Sequence, residues 1–494
     1  MKKAVVIGSG FAGLSAASFL AKGGWEVTVL EKHELPGGRA RKFSAEGFTF
    51  DMGPSWYWMP DVFERYFRCF GKNVSDFYSL ERLDPSYTVY YADEKTEIPA
   101  DYEALRKLFE ATEPGSGANL DVFLKEAAYK YEVGINKLVH QPGLSFTEFM
   151  DMDLAKGILK LDVFTNMKKH ISKYFKHPHL QQLLEFPVLF LGAMPQHIPA
   201  LYSLMNHADM KLGTWYPQGG MYSIVKGMYE LAAELGVQFK FQRDVTGIQI
   251  ENGKAVFVAA IRQNGEKESF PADAVIAACD YHFTETKLLP SIYRNYNDAY
   301  WKKRVMAPSC LLYYIGINKK LKNIGHHSLF FDVDFDRHGK EIYEKPQWPT
   351  EPLFYVSAVS VSDETAAPAG CENLFFLVPV AAGLFDDTEE LRDAYFYRIL
   401  ERFESRLGET IRENIIYKRS YAVSDFVYDY NAFKGNAYGL ANTLMQTAIM
   451  KPSLKNKKVK NLFYAGQLTV PGPGVPPALI SGEVCAKQVL KEWN

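Results

Sequence analysis

The sequence predicts an α/β protein whose parallel sheet is assembled from separate stretches of the chain, with a second domain inserted between them. Three observations indicate this fold class. An apolar strand, a glycine-rich turn and a helix open the chain; a mainly helical stretch then interrupts the pattern; a short strand, a Pro/Gly loop and a helix close it. At 494 residues the chain can bury a large core and is expected to form two or three substructures.

The first element is typical of a Rossmann-type dinucleotide-binding unit. Residues 4–7 form an apolar run that predicts a buried parallel strand, and a helix is predicted over residues 14–22. Between them, Gly8, Gly10 and Gly13 give the spacing G-x-G-x-x-G. The first glycine permits a tight turn, the second lets the backbone approach a pyrophosphate, and the third lets the helix pack closely on the sheet. The N–H groups at the start of that helix would face the phosphates.

The residues that follow favour FAD over NAD. The second strand, residues 25–30, ends at Glu31, whose carboxylate is placed to bind a ribose diol and to repel a 2′-phosphate. A second glycine pair, Gly37 and Gly38, and then Arg39 come soon after. A fold that binds NAD does not require this second group, whereas the longer FAD is gripped from a second side. Because the chain has one G-x-G-x-x-G, NAD(P)H is not expected as a bound co-substrate.

The closing segment is predicted to return to the same site. A short apolar strand ends at Gly466, the loop Val470-Pro-Gly-Pro-Gly474 follows, and a helix is predicted from about Pro476 to Lys491. Proline suits the first turn of a helix because the N–H it lacks would have no partner there. Aimed at the flavin ring, this helix would stabilise the negative charge of the reduced cofactor. The alternative interpretation is an ordinary loop followed by a terminal helix.

The stretches between the two ends determine the predicted domain organisation. The predicted strands cover residues 87–91, 96–98, 237–241, 244–250, 255–262, 270–280, 309–317, 354–360 and 373–380, and the predicted helices cover residues 101–111, 119–137 and 222–235. From these elements we predict an FAD-binding domain of residues 1–85, 215–283 and 431–494, a substrate domain with a mixed sheet of residues 86–150 and 284–430, and a helical region of residues 151–214 that is a candidate for membrane docking.

Composition argues against several classes of function. Lys and Arg total 56 and Asp and Glu total 58, so the net charge of −2 gives no basis for binding nucleic acid. The five cysteines are scattered, odd in number and without a C-x-x-C, which is typical of reduced thiols in a cytoplasmic protein. The first strand starts so early that no signal peptide is expected, and three prolines in residues 186–205 argue against a membrane span there. No metal site is predicted, because the histidine pairs 177/179 and 326/327 lack ligand partners at suitable spacing.

Several collinear motifs resemble the bacterial-type phytoene (carotenoid) desaturase family, within the amine oxidase-like superfamily of FAD flavoproteins. The segments that carry this resemblance are residues 51–60, 215–221, 272–280, 327–332, 367–379, 435–440 and 446–447, so it spans nearly the whole chain. Motifs and resemblance together indicate a noncovalent FAD bound by Gly8, Gly10, Phe11, Ala12, Gly13, Glu31, Lys32, Gly38, Arg39, Gly53, Pro54, Ser55, Val245, Gly466 and Val475. Val245 is included from its position in the family, through its backbone.

The resemblance implies hydrogen removal from saturated bonds that flank a conjugated polyene, on a linear C40 carotene with phytoene as the favoured substrate. An allylic C–H of a hydrocarbon is not acidic, so hydride transfer to flavin begins the reaction, and the electrons would leave to oxygen or a quinone. No catalytic residue is assigned. The family commonly has His-Pro-Gly-Ala-Gly in the closing loop, whereas this chain has Val470-Pro-Gly-Pro-Gly474, and Lys451 stands where arginine is expected. A histidine in that loop therefore cannot be a required acid or base here.

Three alternatives stay open from the sequence. A desaturase of a later carotenoid, such as γ-carotene or a hydroxylated derivative, would carry the same motifs. An amine oxidase-like enzyme would be expected to have an aromatic cage and a cysteine for covalent flavin near the closing loop, and residues 467–474 contain no cysteine. A non-catalytic flavin-binding carrier would need no flavin-facing helix after that loop.

The apolar substrate implies a membrane surface as a partner and a peripherally membrane-associated enzyme. Residues 154–177 are the best candidate for docking, because apolar residues recur there at helical spacing beside lysines. The apolar positions are Ile158, Leu161, Phe164, Met167, Ile171 and Phe175, and the lysines are Lys156, Lys160, Lys168, Lys169, Lys173 and Lys176. The alternative is a surface helix whose apolar side packs on the core. Residues 56–59 and 186–205 are predicted to line the substrate tunnel, or else to be plain core.

Overall fold

A computed structural model of the chain describes residues 1–145, 148, 161–189 and 191–493. Its strands are β1 (Lys3–Ile7), β2 (Glu26–Leu30), β3 (Lys42–Ala45), β4 (Phe48–Asp51), β5 (Leu80–Arg82), β6 (Tyr87–Tyr91), β7 (Lys95–Ile98), β8 (Trp215–Pro217), β9 (Gln238–Lys240), β10 (Arg243–Glu251), β11 (Lys254–Arg262), β12 (Lys267–Pro271), β13 (Ala274–Ala277), β14 (Ser309–Ile317), β15 (His327–Phe331), β16 (Phe354–Ser357), β17 (Glu372–Val380), β18 (Ile415–Tyr421) and β19 (Leu462–Tyr464). Its helices are α1 (Phe11–Lys22), α2 (Pro60–Arg68), α3 (Tyr102–Thr112), α4 (Ser116–Asn136), α5 (Met167–Tyr174), α6 (Pro178–Leu189), α7 (Leu204–Met210), α8 (Tyr222–Glu234), α9 (Tyr281–Phe283), α10 (Asp298–Lys302), α11 (Phe335–Tyr343), α12 (Glu389–Leu407), α13 (Val423–Tyr430) and α14 (Val475–Trp493).

A parallel sheet of five strands in the order β19-β13-β1-β2-β9 holds the N-terminal motif. Its strands come from the first 30 residues, from the middle of the chain and from the last 35, as the predicted return of the C-terminus requires. Central strand β1 pairs with β13 on one side and β2 on the other, for example Ala4 with Ala274 and Lys3 with Glu26. Helices α1 and α14 pack tightly together, since a Cβ on Gly482 would lie 2.2 Å from the Ala12 carbonyl oxygen. The predicted meander, β10 to β12, forms a separate antiparallel sheet.

A mixed sheet of seven strands in the order β18-β14-β17-β16-β15-β6-β7 forms the second large unit. Strand β14, the second in this order, is buried along its whole length, as its continuous apolar run predicts. One face, with Tyr313 and Ile315, packs in the same core as Phe396 of helix α12. The opposite face, with Leu312, shares a core with Phe186 of helix α6 and faces the functional cavity. The assignment of the two sheets to separate domains stays a prediction.

Residues 270–280, predicted as one strand, form two strands in different sheets. Strand β12 ends at Pro271, which cannot donate a backbone hydrogen bond, and strand β13 begins at Ala274. Between them, Asp273 accepts a hydrogen bond from the backbone N–H of Lys3 at 2.7 Å. The prediction of a single strand is therefore wrong, because proline and the aspartate end the first strand.

The predicted docking helix over residues 154–177 also differs from the structure. Residues 154–160, with Lys156, Ile158 and Lys160, lie outside the described residues. Residues 161–164 form turns, and Asn166 pairs with Pro199 in an isolated antiparallel bridge. Helix α5 begins only at Met167, where the Asn166 side chain caps it by accepting the Lys169 N–H. Met167, Ile171, Phe175 and Leu161 are buried, so the prediction that these side chains face a membrane is wrong. Phe164 is different, because 85% of its surface is exposed.

Among the described residues, every helix is too short or too polar to cross a bilayer.

A candidate cofactor and substrate site

A cavity of about 710 Å³ joins the two large sheets. At one end it is lined by Ile7 and Leu30, the last residues of β1 and β2. At the other end it reaches Leu312 and Leu377, on the inner face of the seven-stranded sheet. The carboxyl ends of parallel strands are where open α/β sheets bind their ligands, because helix N-termini and loops meet there. The cavity therefore extends from a nucleotide-binding edge to an apolar chamber.

The glycine motif forms the turn at the nucleotide end. Gly8 has φ of 98°, a left-handed conformation that favours glycine, and its N–H donates to the Leu30 carbonyl at 2.8 Å. A Cβ on Gly13 would lie 1.9 Å from the Gly8 carbonyl oxygen, so only glycine lets helix α1 start this close to the strand. No described side chain caps helix α1, which leaves its first N–H groups for a ligand in the cavity.

Glu31 is held at the end of β2 by its own neighbours. Its Oε2 accepts hydrogen bonds from the Ser9 backbone N–H at 2.9 Å and from the Ser9 hydroxyl at 2.7 Å. Its Oε1 accepts the His33 N–H at 3.0 Å. The side chain is buried and lines the cavity, so its carboxylate is fixed in one orientation and keeps lone pairs for a ligand hydroxyl.

Arg39 is a buried cation whose hydrogen bonds are incomplete. One of its Nη atoms donates to the Asn436 carbonyl at 3.2 Å, and its guanidinium lies over the Tyr430 ring at 5.2 Å. Its Nε is buried and has no partner among the described residues. Burial lowers the pKa of Arg39, and the nearby Asp280 partly offsets this effect. A buried N–H without a partner costs free energy, so this geometry indicates an acceptor supplied by a ligand.

The closing loop lies across the cavity from the glycine motif. Gly466 has φ of 116° and donates its N–H to the Ser481 hydroxyl at 2.9 Å, and that hydroxyl donates to the Val470 carbonyl at 2.7 Å. Helix α14 begins at Val475, and its first four residues, Val475 to Ala478, line the cavity. The helix N-terminus thus faces the cavity, as the sequence predicts.

A buried lysine lies behind this loop. Lys451 Nζ donates to the side-chain oxygen of Asn442 at 2.8 Å, and Asn442 lines the cavity. Burial lowers the pKa of Lys451 to about 7, since the ammonium is far from water. A Cβ on Gly472 would lie 3.0 Å from Nζ, so the lysine head group touches the closing loop.

The inner part of the cavity is a chamber with mostly apolar and aromatic walls. Trp56, Trp58 and Met59 of the segment 56–59 line the cavity, whereas Tyr57 is fully buried outside it. The segment 186–205 contributes Phe186, Pro187, Leu191, Leu201, Tyr202, Leu204 and Met205. The sheet contributes Cys310, Leu312, Tyr355 and Leu377, and the loop after helix α13 contributes Tyr438. Burial raises the pKa of the Cys310 thiol, which therefore stays protonated.

The structure brings nearly all of the predicted cofactor residues to one cavity. The residues that line it are Gly8, Gly10, Phe11, Ala12, Glu31, Lys32, Gly38, Arg39, Gly53, Pro54, Ser55, Val245, Gly466 and Val475. Gly13 is the exception, since it packs the helix against the sheet. Sequence reasoning missed Tyr355, Asn442, and Asp429 and Tyr430 of helix α13. These lie on segments without a local motif, so no sequence signal marks them.

A second cluster, Glu126, Asp162 and His170, has ligand atoms within 4.8 Å of one another, as in a metal site. The buried Lys130 Nζ lies 3.0 Å from Asp162 and 3.3 Å from the His170 Nε2. The ammonium thus supplies the positive charge that these groups would otherwise take from a metal.

The residues of the nucleotide end fit FAD. Gly10 and Gly38 face each other so closely that a Cβ on Gly38 would lie 3.4 Å from the Gly10 Cα, which leaves a backbone cradle for a diphosphate. The Arg39 Nε, which has no partner among the described residues, and the fixed Glu31 carboxylate would meet the charged and hydroxyl groups of the same molecule. FAD requires both the nucleotide end and space for the flavin beyond it, and the cavity offers both.

Comparison with known proteins identifies the family. The model of the family described as flavin containing amine oxidoreductase matches residues 11–490, so the chain belongs to that family. It is an FAD-dependent oxidoreductase. A carotenoid 3,4-desaturase from Haloarcula japonica is 40% identical over 489 residues, which cover 99% of this chain and 98% of that protein. A zeta-carotene-forming phytoene desaturase from Myxococcus xanthus is 30% identical and covers 99% of this chain and 94% of its own length.

Solved structures share the fold at low sequence identity. An oxidoreductase from Methanosarcina mazei matches with a TM-score of 0.61 at 18% identity, over 99% of this chain and 100% of that one. A triple mutant of putrescine oxidase matches with a TM-score of 0.62 at 12% identity, over 99% of both chains. These likenesses establish the fold and carry no information about the substrate.

Proposed function

We propose that this protein is an FAD-dependent carotenoid desaturase that acts on a linear C40 carotenoid. The observation that carries this proposal is the single cavity that runs from the dinucleotide motif into an apolar, aromatic chamber. Such a chamber suits a long hydrocarbon and gives a charged amine little compensation for its lost hydration. Likeness to a carotenoid 3,4-desaturase and a phytoene desaturase over nearly the whole chain supports the same conclusion.

FAD is held, in this proposal, by the residues that line the nucleotide end. The backbone at Gly8, Gly10 and Gly38 receives the diphosphate, Glu31 binds the ribose hydroxyls, and Arg39 gains the acceptor that its Nε lacks. Phe11, Ala12, Lys32, Gly53, Pro54, Ser55, Val245, Gly466 and Val475 complete the contact surface. None of the described interactions requires a covalent bond to the flavin, and we propose that binding is noncovalent.

The chain's own residues mainly orient the substrate and exclude water. When bound, FAD accepts a hydride from a saturated carbon next to the polyene. Trp58, Phe186 and Leu312 would hold the chain of the carotenoid against that position, because a hydrocarbon offers no polar group for recognition. The N-terminus of helix α14 would stabilise the negative charge that develops in the cavity. We propose oxygen or a membrane quinone as the final electron acceptor.

Substrate choice is tested by adding carotenoids in lipid vesicles to the purified protein under anaerobic conditions. The arms are phytoene, a coloured linear carotene, and a small aliphatic amine, with flavin absorbance and extracted pigment as readouts. We expect a carotenoid to bleach the flavin and to gain double bonds, seen as a shift of pigment absorption to longer wavelength. Bleaching by the amine alone would contradict the proposal in favour of an amine oxidase. Bleaching by the coloured carotene and not by phytoene would place the enzyme at a later desaturation step.

We propose further that the cavity mouth docks reversibly on a membrane surface, because the substrate dissolves only in lipid. Phe164 and Leu444 line the cavity and are also 85% and 48% exposed, so they mark its mouth. Gly143 lies close to Ala448, so the segment that carries the exposed Leu144 is next to the segment that carries Leu444. The exposed Met445 continues this apolar rim. An exposed apolar rim around the entrance to an apolar chamber is suited to insertion among lipid headgroups.

Docking is tested by co-sedimentation with vesicles of phosphatidylcholine and phosphatidylglycerol. Phe164→Asp and Met445→Asp are expected to lower the bound fraction, since each places a charge at the rim. Ile292→Asp is the matched control, because Ile292 is 67% exposed and does not line the cavity. The contribution of the lysines is tested by reversing the charge of Lys169. Lys168 is less suitable because its Nζ forms an ion pair with Asp336 at 2.9 Å, which a substitution would also remove. Equal binding of all variants and the wild type would contradict this docking surface.

A further inference from the structure

A buried tyrosine and histidine form a polar pair at the wall of the mostly apolar chamber. Tyr355 lines the cavity together with Ser55 of the loop that precedes Trp56. We propose that Tyr355, supported by His327, accepts the proton that leaves the substrate in the second half of each desaturation. This inference rests on the proposed carotenoid desaturase function and names a catalytic residue for it.

The two side chains are brought together by strand pairing. His327 on β15 lies opposite Ser357 on the antiparallel strand β16, and Leu329 lies opposite Tyr355. Tyr355 is therefore the diagonal neighbour of His327, two residues from its direct partner and on the same face of the sheet. The Tyr355 hydroxyl and the His327 Nδ1 are 2.6 Å apart, a short hydrogen bond.

His327 is fixed and kept neutral by its surroundings. The Trp56 ring stacks on the imidazole with centroids 4.2 Å apart and an angle of 11° between the planes. Burial lowers the pKa of His327, and His326 beside it adds to this effect. The tautomer with its hydrogen on Nε2 presents a lone pair at Nδ1, to which the phenol can donate, and the proposal requires this tautomer. The Nε2 atom is buried and has no partner among the described residues, so the hydrogen bond to Tyr355 determines the orientation of the ring.

The chemistry of the second step requires a proton acceptor in this chamber. Desaturation breaks two C–H bonds on adjacent carbons. The first hydrogen would leave with its electron pair, a two-electron oxidation that bound FAD would supply, and the substrate would be left as a cation delocalised along the polyene. The electron pair of the second C–H bond then becomes the new π bond, and its proton passes to the Tyr355 oxygen while the phenol proton moves to the His327 Nδ1. Because a proton next to a cation is strongly acidic, a neutral phenol–imidazole pair is a sufficient acceptor.

Tyr438, Glu31 and Arg39, which also line the cavity, fit this role less well. Tyr438 lines the same wall, and its described partner is the Cys310 thiol, which burial keeps protonated. Glu31 and Arg39 line the nucleotide end, where they face the cofactor in the proposed binding mode. Tyr355 differs because a basic nitrogen lies within hydrogen-bond distance of its hydroxyl.

The proposal is tested with two variants and a control. Tyr355→Phe removes the acceptor, whereas His327→Asn can still accept a hydrogen bond near the Nδ1 position but cannot take a proton. Both are expected to retain flavin and to keep KM within about twofold, while kcat falls about 100-fold or more, the low end of the loss expected for a general base. Tyr313→Phe is the control, because it removes a buried phenol from the opposite face of the same sheet.

An isotope effect separates a chemical role from a structural one. With a carotenoid deuterated at the carbon that loses the proton, we expect an effect near unity in the wild type and a clear rise in both variants, because proton loss becomes rate-limiting. Turnover within twofold of the wild type with an unchanged isotope effect would overturn the assignment. If Tyr355→Phe fails to fold, His327→Asn decides. If no carotenoid bleaches the wild-type flavin, the proposed function fails, and that outcome is distinct from failure of the pair.

Discussion

Replacing Glu31 by alanine should weaken FAD binding by about two orders of magnitude. The carboxylate is buried and held by three hydrogen bonds, from the Ser9 N–H at 2.9 Å, the Ser9 hydroxyl at 2.7 Å and the His33 N–H at 3.0 Å. In the proposed binding mode it also accepts the ribose hydroxyls. Hydrogen bonds to a charged group contribute about 1.5 to 3 kcal/mol each, so losing two to FAD costs about 3 kcal/mol or more. Since about 1.4 kcal/mol corresponds to a factor of ten, the dissociation constant should rise roughly 100-fold.

The assay is titration of the apoprotein with FAD, followed by quenching of flavin fluorescence. Glu31→Gln should give a smaller loss, about tenfold, because the amide keeps one acceptor and the shape of the side chain while losing the charge. Glu34→Ala is the matched control, since Glu34 is exposed in the same loop and does not line the cavity. An FAD affinity of Glu31→Ala equal to that of Glu34→Ala would refute the assignment of Glu31 to the ribose.

Two further predictions concern stability. Gly482→Ala should lower the free energy of unfolding by about 3 kcal/mol, because the new Cβ would lie 2.2 Å from the Ala12 carbonyl oxygen. Gly247→Ala is the control and should change the melting temperature little, since the space around Gly247 is open. Equal melting temperatures of the two variants would contradict this packing. Burial raises the pKa of Asp209, which accepts a hydrogen bond from Tyr87, from 3.8 to about 7. Between pH 3.8 and about pH 7 the folded protein therefore keeps the Asp209 proton that the unfolded chain loses. The free energy of unfolding falls by up to about 1.4 kcal/mol per pH unit as the pH rises through this range. The side chain introduced by Asp209→Asn is neutral at every pH, so the melting temperature of this variant should rise relative to that of the wild type between about pH 5 and about pH 7.5. A difference in melting temperature that stays constant over this range would contradict the raised pKa of Asp209.

Local sequence patterns determined the nucleotide end of the site. The turn at Gly8 and the contact of Gly13 with the strand depend on backbone conformation and on the absence of a Cβ, which are properties of each residue and its nearest neighbours. Strand β14, Ser309–Ile317, was likewise predicted with its observed bounds, because a continuous apolar run is buried wherever the sheet places it. The family motifs then indicated where the closing loop returns.

Partners that come from distant segments could not be predicted in this way. Tyr430 of helix α13 lies over Arg39, and the two are far apart in the chain. The segment around His327 has no metal ligands at suitable spacing, and the partner of this histidine, Tyr355, lies on the next strand of the sheet. Strand pairing across the sheet creates this contact, and no periodicity within either strand encodes it.

An amphipathic pattern shows that one side of a segment must leave water, but it does not say what covers that side. Met167, Ile171 and Phe175 satisfy the pattern of a docking helix, yet they are buried in the core. Phe164 belongs to the same pattern and stays exposed at the cavity mouth. The sequence by itself determined that these residues are apolar and which backbone turns hold a dinucleotide. Only the tertiary structure decided which apolar side chains face the core and which face the solvent, because burial depends on the elements that pack against each position.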